Sequence, residues 1–165
     1  MITHLNKDII NAIKTFSVKI AISSNRIDYI VAILYTFFLQ ALTGIPHPEY
    51  LEQANANALL VLLSEEVFAY PFWLQDLSHF PLFFIFTWLW ARCIGPISSE
   101  FLKSTTCLLV VAIGYGIGNE LMQFFIPNRF PSLGDLIMNL VGVLSSLLSH
   151  KYYCYRVIKR KRISS

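Results

Sequence analysis

The sequence predicts an all-α integral membrane protein built as a four-helix bundle, and two observations carry that reading. The first is composition. Of 165 residues, 55% are hydrophobic, 15% are aromatic and only 14% are charged, whereas an average soluble domain is about 25% charged. One core of this size cannot hide so much apolar side chain, so the excess has to face lipid. The second is pattern. Long apolar runs recur four times, separated by segments that hold proline, charge or both.

The chain divides into a lead-in (1–26), a four-span membrane domain (27–150) and a basic tail (151–165). In the lead-in, Ile2, Leu5, Ile9, Ile13, Phe16 and Ile20 recur every three or four residues, with Lys7, Asn11, Lys14 and Lys19 elsewhere on the wheel. This is the pattern of an amphipathic helix, suited to lie on anionic headgroups or simply to lead into the first span. No cleavable signal core is seen there, so the first span is expected to act as its own insertion signal. That span covers about 29–45 and ends at Pro46, His47 and Pro48. In the following segment Leu59 to Leu63 is apolar, but Glu65 and Glu66 come at once. The run is too short to cross about 30 Å of hydrocarbon. It reads as an interfacial segment of the first outer loop, closed by Phe68, Tyr70, Phe72 and Trp73, whose rings favour the headgroup level. The remaining spans are expected at about 80–97, 104–125 and 133–148. Gly114 and Gly118 make a GxxxG pattern in the third, which helix packing explains and which leaves a homo-oligomer open.

Basic residues set the orientation. Of 13 Lys and Arg, four lie in the N-terminal segment, none in the first loop, two in the second (Arg92 and Lys103), one in the third (Arg129) and six in the tail. The alternation puts both termini in the cytoplasm and the first and third loops outside. The Lys159–Arg162 cluster is explained by this bias and by anionic lipid, so no nucleic-acid partner is expected. Cys93, Cys107 and Cys154 show no CxxC or paired spacing, which argues against a structural zinc site or a disulfide framework. They read as thiols in or near membrane helices. No cofactor is expected.

Ionisable groups inside membrane helices are costly, so each is a candidate functional residue. Glu120 and Gln123 are three apart on the third span, and Asp135 and Asn139 four apart on the fourth, so each pair shares a helix face. Asp76 and His79 stand at the outer entrance of the second span, and Arg129 lies in the third loop. The topology gathers all seven at one depth, on the outer side. They can equally be interhelical glue, with Arg129 neutralising Asp135 or Glu120 and Asp135 acting as a helix N-terminal acid.

At these residues the chain resembles a known family. The run Glu120-Leu-Met-Gln123-Phe-Phe-Ile-Pro127-Asn-Arg129-Phe-Pro131-Ser132-Leu-Gly-Asp135-Leu-Ile-Met-Asn139-Leu-Val-Gly142 is similar to the VanZ-like signature. The wider resemblance covers roughly 70–148. The family is one of small bacterial membrane proteins, usually with four spans, whose founding members are associated with resistance to the glycopeptide teicoplanin. Many relatives carry Asp-Lys and then His at the start of the second span. Here the aligned residues are Gln75, Asp76 and His79: the His is kept, the acid is shifted by one and the Lys is missing. The resemblance implies a multi-pass protein of the bacterial cytoplasmic membrane.

Three functions are compatible with these residues. One is binding of an anionic lipid or lipid-linked glycan head group at the outer face by Glu120, Gln123, Arg129, Asp135, Asn139 and His79, with Arg129 taking a phosphate and His79 adding a second positive partner when protonated. Another is an enzyme acting on a lipid-linked phosphate or glycan, with Glu120, Asp135 and His79 as acid and base. The same three residues could hold a divalent metal, although no tight ligand motif such as HExxH exists. Ser132 is the only hydroxyl in the motif, and its neighbours Pro131 and Gly134 suggest a turn. The third is a small transporter, disfavoured by four short spans without an inverted repeat.

Overall fold

The computed structural model describes residues 26–94 and 101–164, and all six elements in them are helices: α1 (Arg26–Thr43), α2 (Pro48–Gln53), α3 (Ala58–Phe68), α4 (Phe72–Ile94), α5 (Phe101–Gln123) and α6 (Leu133–Ser164). The expected amphipathic lead-in falls on residues 1–25, and the end of the second span with part of the second loop on 95–100, so both lie outside the described residues. Four helices are long and apolar enough to cross a membrane: α1, α4, Thr105–Gln123 of α5 and Leu133–Val157 of α6. Their outward faces are apolar, with Ile27, Leu34, Phe37, Val110, Leu121 and Leu148 each more than half exposed. In water such a surface would aggregate; in a bilayer it is solvated by acyl chains.

α4 packs most extensively on α6, and α1 and α5 flank this pair. The core is formed by Leu39, Phe83, Phe86, Leu108, Ala112, Val143 and Leu147. Two glycines let the helices approach. A Cβ on Gly142 would lie 2.6 Å from the Phe80 carbonyl oxygen, and one on Gly116 would lie 3.3 Å from the Phe83 ring. Gly114 and Gly118 have nothing within 4 Å of a built Cβ, so the GxxxG face packs against no helix among the described residues. Helix packing in this chain uses Gly116 and Gly142 instead. At one end of the bundle the Tyr29 hydroxyl donates to the Cys93 carbonyl (2.8 Å) and Arg92 pairs with Asp28 (2.5 Å), clamping the start of α1 to the end of α4.

Two boundaries differ from the expected spans, and the first loop is partly helical. α4 starts at Phe72 rather than near 80, because the Pro71 carbonyl already accepts from the Leu74 and Gln75 amides and begins the helix there. Phe72 and Trp73 therefore open α4 instead of closing the loop, and Asp76 and His79 lie one and two turns inside it. α6 continues well past Leu148 into the basic tail. No Gly or Pro interrupts it after Gly142, and the Arg156 guanidinium donates to the Tyr152 hydroxyl one turn back (2.7 Å). The first loop holds two short helices. Pro48 opens α2, Asn57 caps α3 by accepting from the Leu59 amide (2.8 Å), and Ser64 ties α3 to the Pro46 carbonyl (2.7 Å). With 11 residues, α3 is only about 16 Å long and cannot cross a bilayer.

Candidate functional site

The end of the bundle opposite the Arg92–Asp28 clamp carries a polar cluster built from α4, α5 and α6. His79, Glu120, Gln123, Asp135 and Asn139 are all buried. Asn139 sits at the centre: its Nδ2 donates to Glu120 Oε1 (3.1 Å), and its Oδ1 lies 3.0 Å from His79 Nδ1. A carboxylate only accepts, so the amide nitrogen must face Glu120 and the amide oxygen must face the ring. With Glu120 ionised, this arrangement assigns the proton to Nδ1. The other ring nitrogen, Nε2, lies 3.5 Å from Asp135 Oδ1, and Nδ1 is 4.0 Å from Glu120 Oε1. Glu120 of α5 and Asn139 of α6 thus meet across the helix contact, while Asp135 meets His79 of α4.

A cavity of about 1150 Å³ opens beside the cluster. Its walls include Thr43, His47 and Phe68 from the first loop region, Asp76, His79 and Phe80 from α4, and Gln123, Arg129, Ser132 and Asp135. Several buried polar atoms here have no hydrogen-bond partner: Glu120 Oε2, Gln123 Nε2, Arg129 Nε and Asp135 Oδ1. An orphaned polar atom in a buried site costs about 1–3 kcal/mol, so their convergence on one place is unusual for a merely structural network.

Arg129 reaches the cavity through a turn. Asn128 has φ 58°, a left-handed conformation that asparagine tolerates, and the Arg129 amide donates back to the Ile126 carbonyl (3.1 Å). The guanidinium carbon stands 4.8 Å from the centre of the Phe68 ring. Burial lowers the guanidinium pKa, while the Asp135 and Glu120 carboxylates oppose that shift; an arginine stays charged in either case. No ion pair within 4 Å joins Arg129 to either acid, so the expected neutralising pair is not formed; both acids face His79 instead.

Asp76 also belongs to the cavity wall. Its Oδ1 accepts from the Ser132 hydroxyl (3.4 Å). A Cβ on Gly134 would lie 2.1 Å from Asp76 Oδ2, so any other residue at 134 makes this carboxylate turn away. Ser132 is a cap rather than a nucleophile: its Oγ accepts from the Gly134 amide (3.1 Å) and lies 3.4 Å from the Asp135 amide. The cap of α6 is therefore Ser132, and Asp135 is left to point its carboxylate at His79. Ser132→Ala is expected to cost about 1 kcal/mol and to lower the thermal midpoint of the detergent-solubilised protein, read by circular dichroism.

Sequence reasoning passed over Asn119 and Thr43, whose side chains meet at 2.6 Å and join α1 to the cluster. Asn119 adjoins Glu120 within an apolar span, and that position is the signal that marks it. A second buried histidine, His150, lies beside Trp88 and Cys154, away from the site. No protein-family model, curated protein or solved structure matches the chain.

Proposed function

We propose that the chain is a VanZ-like protein of the bacterial cytoplasmic membrane, with both termini in the cytoplasm, and that its outer cavity binds the phosphate-bearing head group of a lipid or lipid-linked glycan. The observation that carries this reading is the cavity itself: one arginine and several partnerless buried polar atoms stand among aromatic side chains at the end of a membrane bundle. A guanidinium suits a phosphate. The Gln123 amide and the Asp76 and Asp135 carboxylates, all in the cavity wall, suit sugar hydroxyls, which both donate and accept. The volume of about 1150 Å³ slightly exceeds that of ordinary small-molecule pockets, which run to about 1,000 Å³, and suits a head group with attached sugar. The family resemblance over residues 120–142 supports a place in the cell envelope and a link to teicoplanin susceptibility.

The test is native mass spectrometry of the full chain released from membranes. Wild type is expected to retain a phosphate-bearing lipid, and Arg129→Ala to retain at least about tenfold less, as expected for one lost charge-assisted contact. Equal head group and amount in the two proteins would sink the reading. Hydrolysis at the same head group is a second reading, favoured by the placement of a histidine between two carboxylates.

A further inference from the structure

His79, Glu120 and Asp135 stand together with a specific chemical mismatch: Asp135 Oδ1 lies 3.5 Å from Nε2, and Glu120 Oε1 lies 4.0 Å from Nδ1. Because Asn139 Oδ1 holds the proton on Nδ1, a neutral His79 directs a lone pair from Nε2 toward Asp135 Oδ1, 3.5 Å away. Two acceptors do not attract each other, so something positive has to lie between them. One ligand atom from each of the three residues falls within 4.8 Å of the other two. The side chains of His79 and Glu120 are each only 7% exposed, and Glu120 Oε2 and Asp135 Oδ1 have no hydrogen-bond partner. Asp76 brings a third carboxylate to the same wall, against the single permanent cation Arg129.

We propose that His79, Glu120 and Asp135 form a site for one divalent transition-metal ion, of the zinc or manganese class, next to the cavity wall that His79 and Asp135 line. An imidazole with two carboxylates is a donor set that borderline divalent ions accept. A tetrahedral ion with bonds near 2.0–2.1 Å holds its ligand atoms about 3.4 Å apart; the Nε2-to-Asp135 spacing of 3.5 Å matches this, whereas the set as a whole spreads to within 4.8 Å, so the Glu120 carboxylate has to turn inward to complete it. Asn139 supplies the outer support that metal-bound histidines ordinarily have: it accepts from the distal ring N–H, sets the tautomer and also orients Glu120. The cavity gives the ion an open side, where a phosphate or water can complete its coordination. A bound cation also reverses the local charge, so an anionic head group meets attraction beside Asp76 and Asp135 rather than repulsion. The site stands whether or not a lipid head group is the ligand beside it.

The experiment uses the full chain in detergent, stripped with a chelator, equilibrated with Zn²⁺ alone or Mn²⁺ alone, desalted and assayed for metal by mass spectrometry, with no lipid added. About one ion per chain is expected for wild type, as for a single three-ligand set with one open position. The isosteric changes Glu120→Gln and Asp135→Asn each remove a charged ligand while keeping its shape, and affinity is expected to fall at least about tenfold in each. Arg129→Gln is expected to retain the ion, although it loses the phosphate contact, so failure of the metal site and failure of the head-group reading give different results. Retention below about a tenth of an ion per chain by folded wild type would overturn the proposal, and would mean that a proton, on Nε2 or on the Asp135 carboxyl, fills the gap instead. Unchanged affinity in both amide variants would overturn it equally.

Discussion

Gly142→Val is expected to cost about 3 kcal/mol or more and to lower the thermal midpoint more than any other single change considered for this chain. A Cβ at 142 would stand 2.6 Å from the Phe80 carbonyl oxygen, 3.0 Å from the Phe84 amide nitrogen and 3.1 Å from Phe83 Cβ. Two of these neighbours are backbone, so no rotamer change relieves the clash, and α4 must move off α6. Ordinary overpacking costs about 1–3 kcal/mol, sometimes more, and a β-branched side chain against backbone belongs at the upper end. α4–α6 is also the most extensive helix contact in the fold. It carries His79 on one side and Asp135 and Asn139 on the other, so lipid and metal retention should fall together with stability. Gly114→Val is the control: a Cβ there meets nothing within 4 Å, and a change within about 0.5 kcal/mol is expected. Unfolding in a mixed-detergent titration reads both. Equal losses for the two variants would show that the close approach at Gly142 is not what holds the bundle.

Asn139→Leu is expected to be the second most damaging change, at about 2–4 kcal/mol. The side chain is 1% exposed and serves two partners at once, His79 through its oxygen and Glu120 through its nitrogen. Leucine keeps the volume and strands both partners, and each stranded buried group costs about 1–3 kcal/mol. Asn139→Asp separates shape from hydrogen bonding. It preserves the acceptor for His79 but turns a second carboxylate oxygen toward Glu120 Oε1, where the amide had donated. At neutral pH it should therefore fail as leucine does, although it is nearly isosteric. Thermal unfolding of both variants, compared with the peripheral cap variant Ser132→Ala, checks the ranking; an aspartate variant as stable as wild type would remove Asn139 from the centre of the network.

Much of this site was legible before any coordinates. Charged and amide residues inside apolar runs are expensive unless they meet, and helical spacing puts Glu120 with Gln123, and Asp135 with Asn139, on single faces. Loop charge then brings their ends of the spans to one side. Spacing did not show how far each contact would be direct. Asn139, not Arg129, became the residue that joins two helices, because the loop turn at Asn128 sends the guanidinium toward Phe68 and the cavity. Asp76 looked displaced by one position, yet Gly134 leaves the space that brings its carboxylate into the wall. Likewise the GxxxG pattern drew attention to Gly114 and Gly118, whereas the close approaches fall at Gly116 and Gly142. A glycine's packing role depends on which way its Cα faces, and sequence spacing does not report that.

The sequence by itself determined the class of the molecule. Composition and four apolar runs leave no soluble alternative, since a backbone in hydrocarbon has to satisfy its own hydrogen bonds and helices do so locally. Local chemistry likewise decided the short first-loop helices through Pro48 and Asn57. Only the tertiary structure decided which helix faces which, and with it the tautomer of His79, the partner of each carboxylate and the volume above them. Those properties depend on contacts between residues 19 to 76 positions apart. A local pattern makes a residue available for such a contact; the packing of Gly142 on Phe80 sets the distance at which it is made.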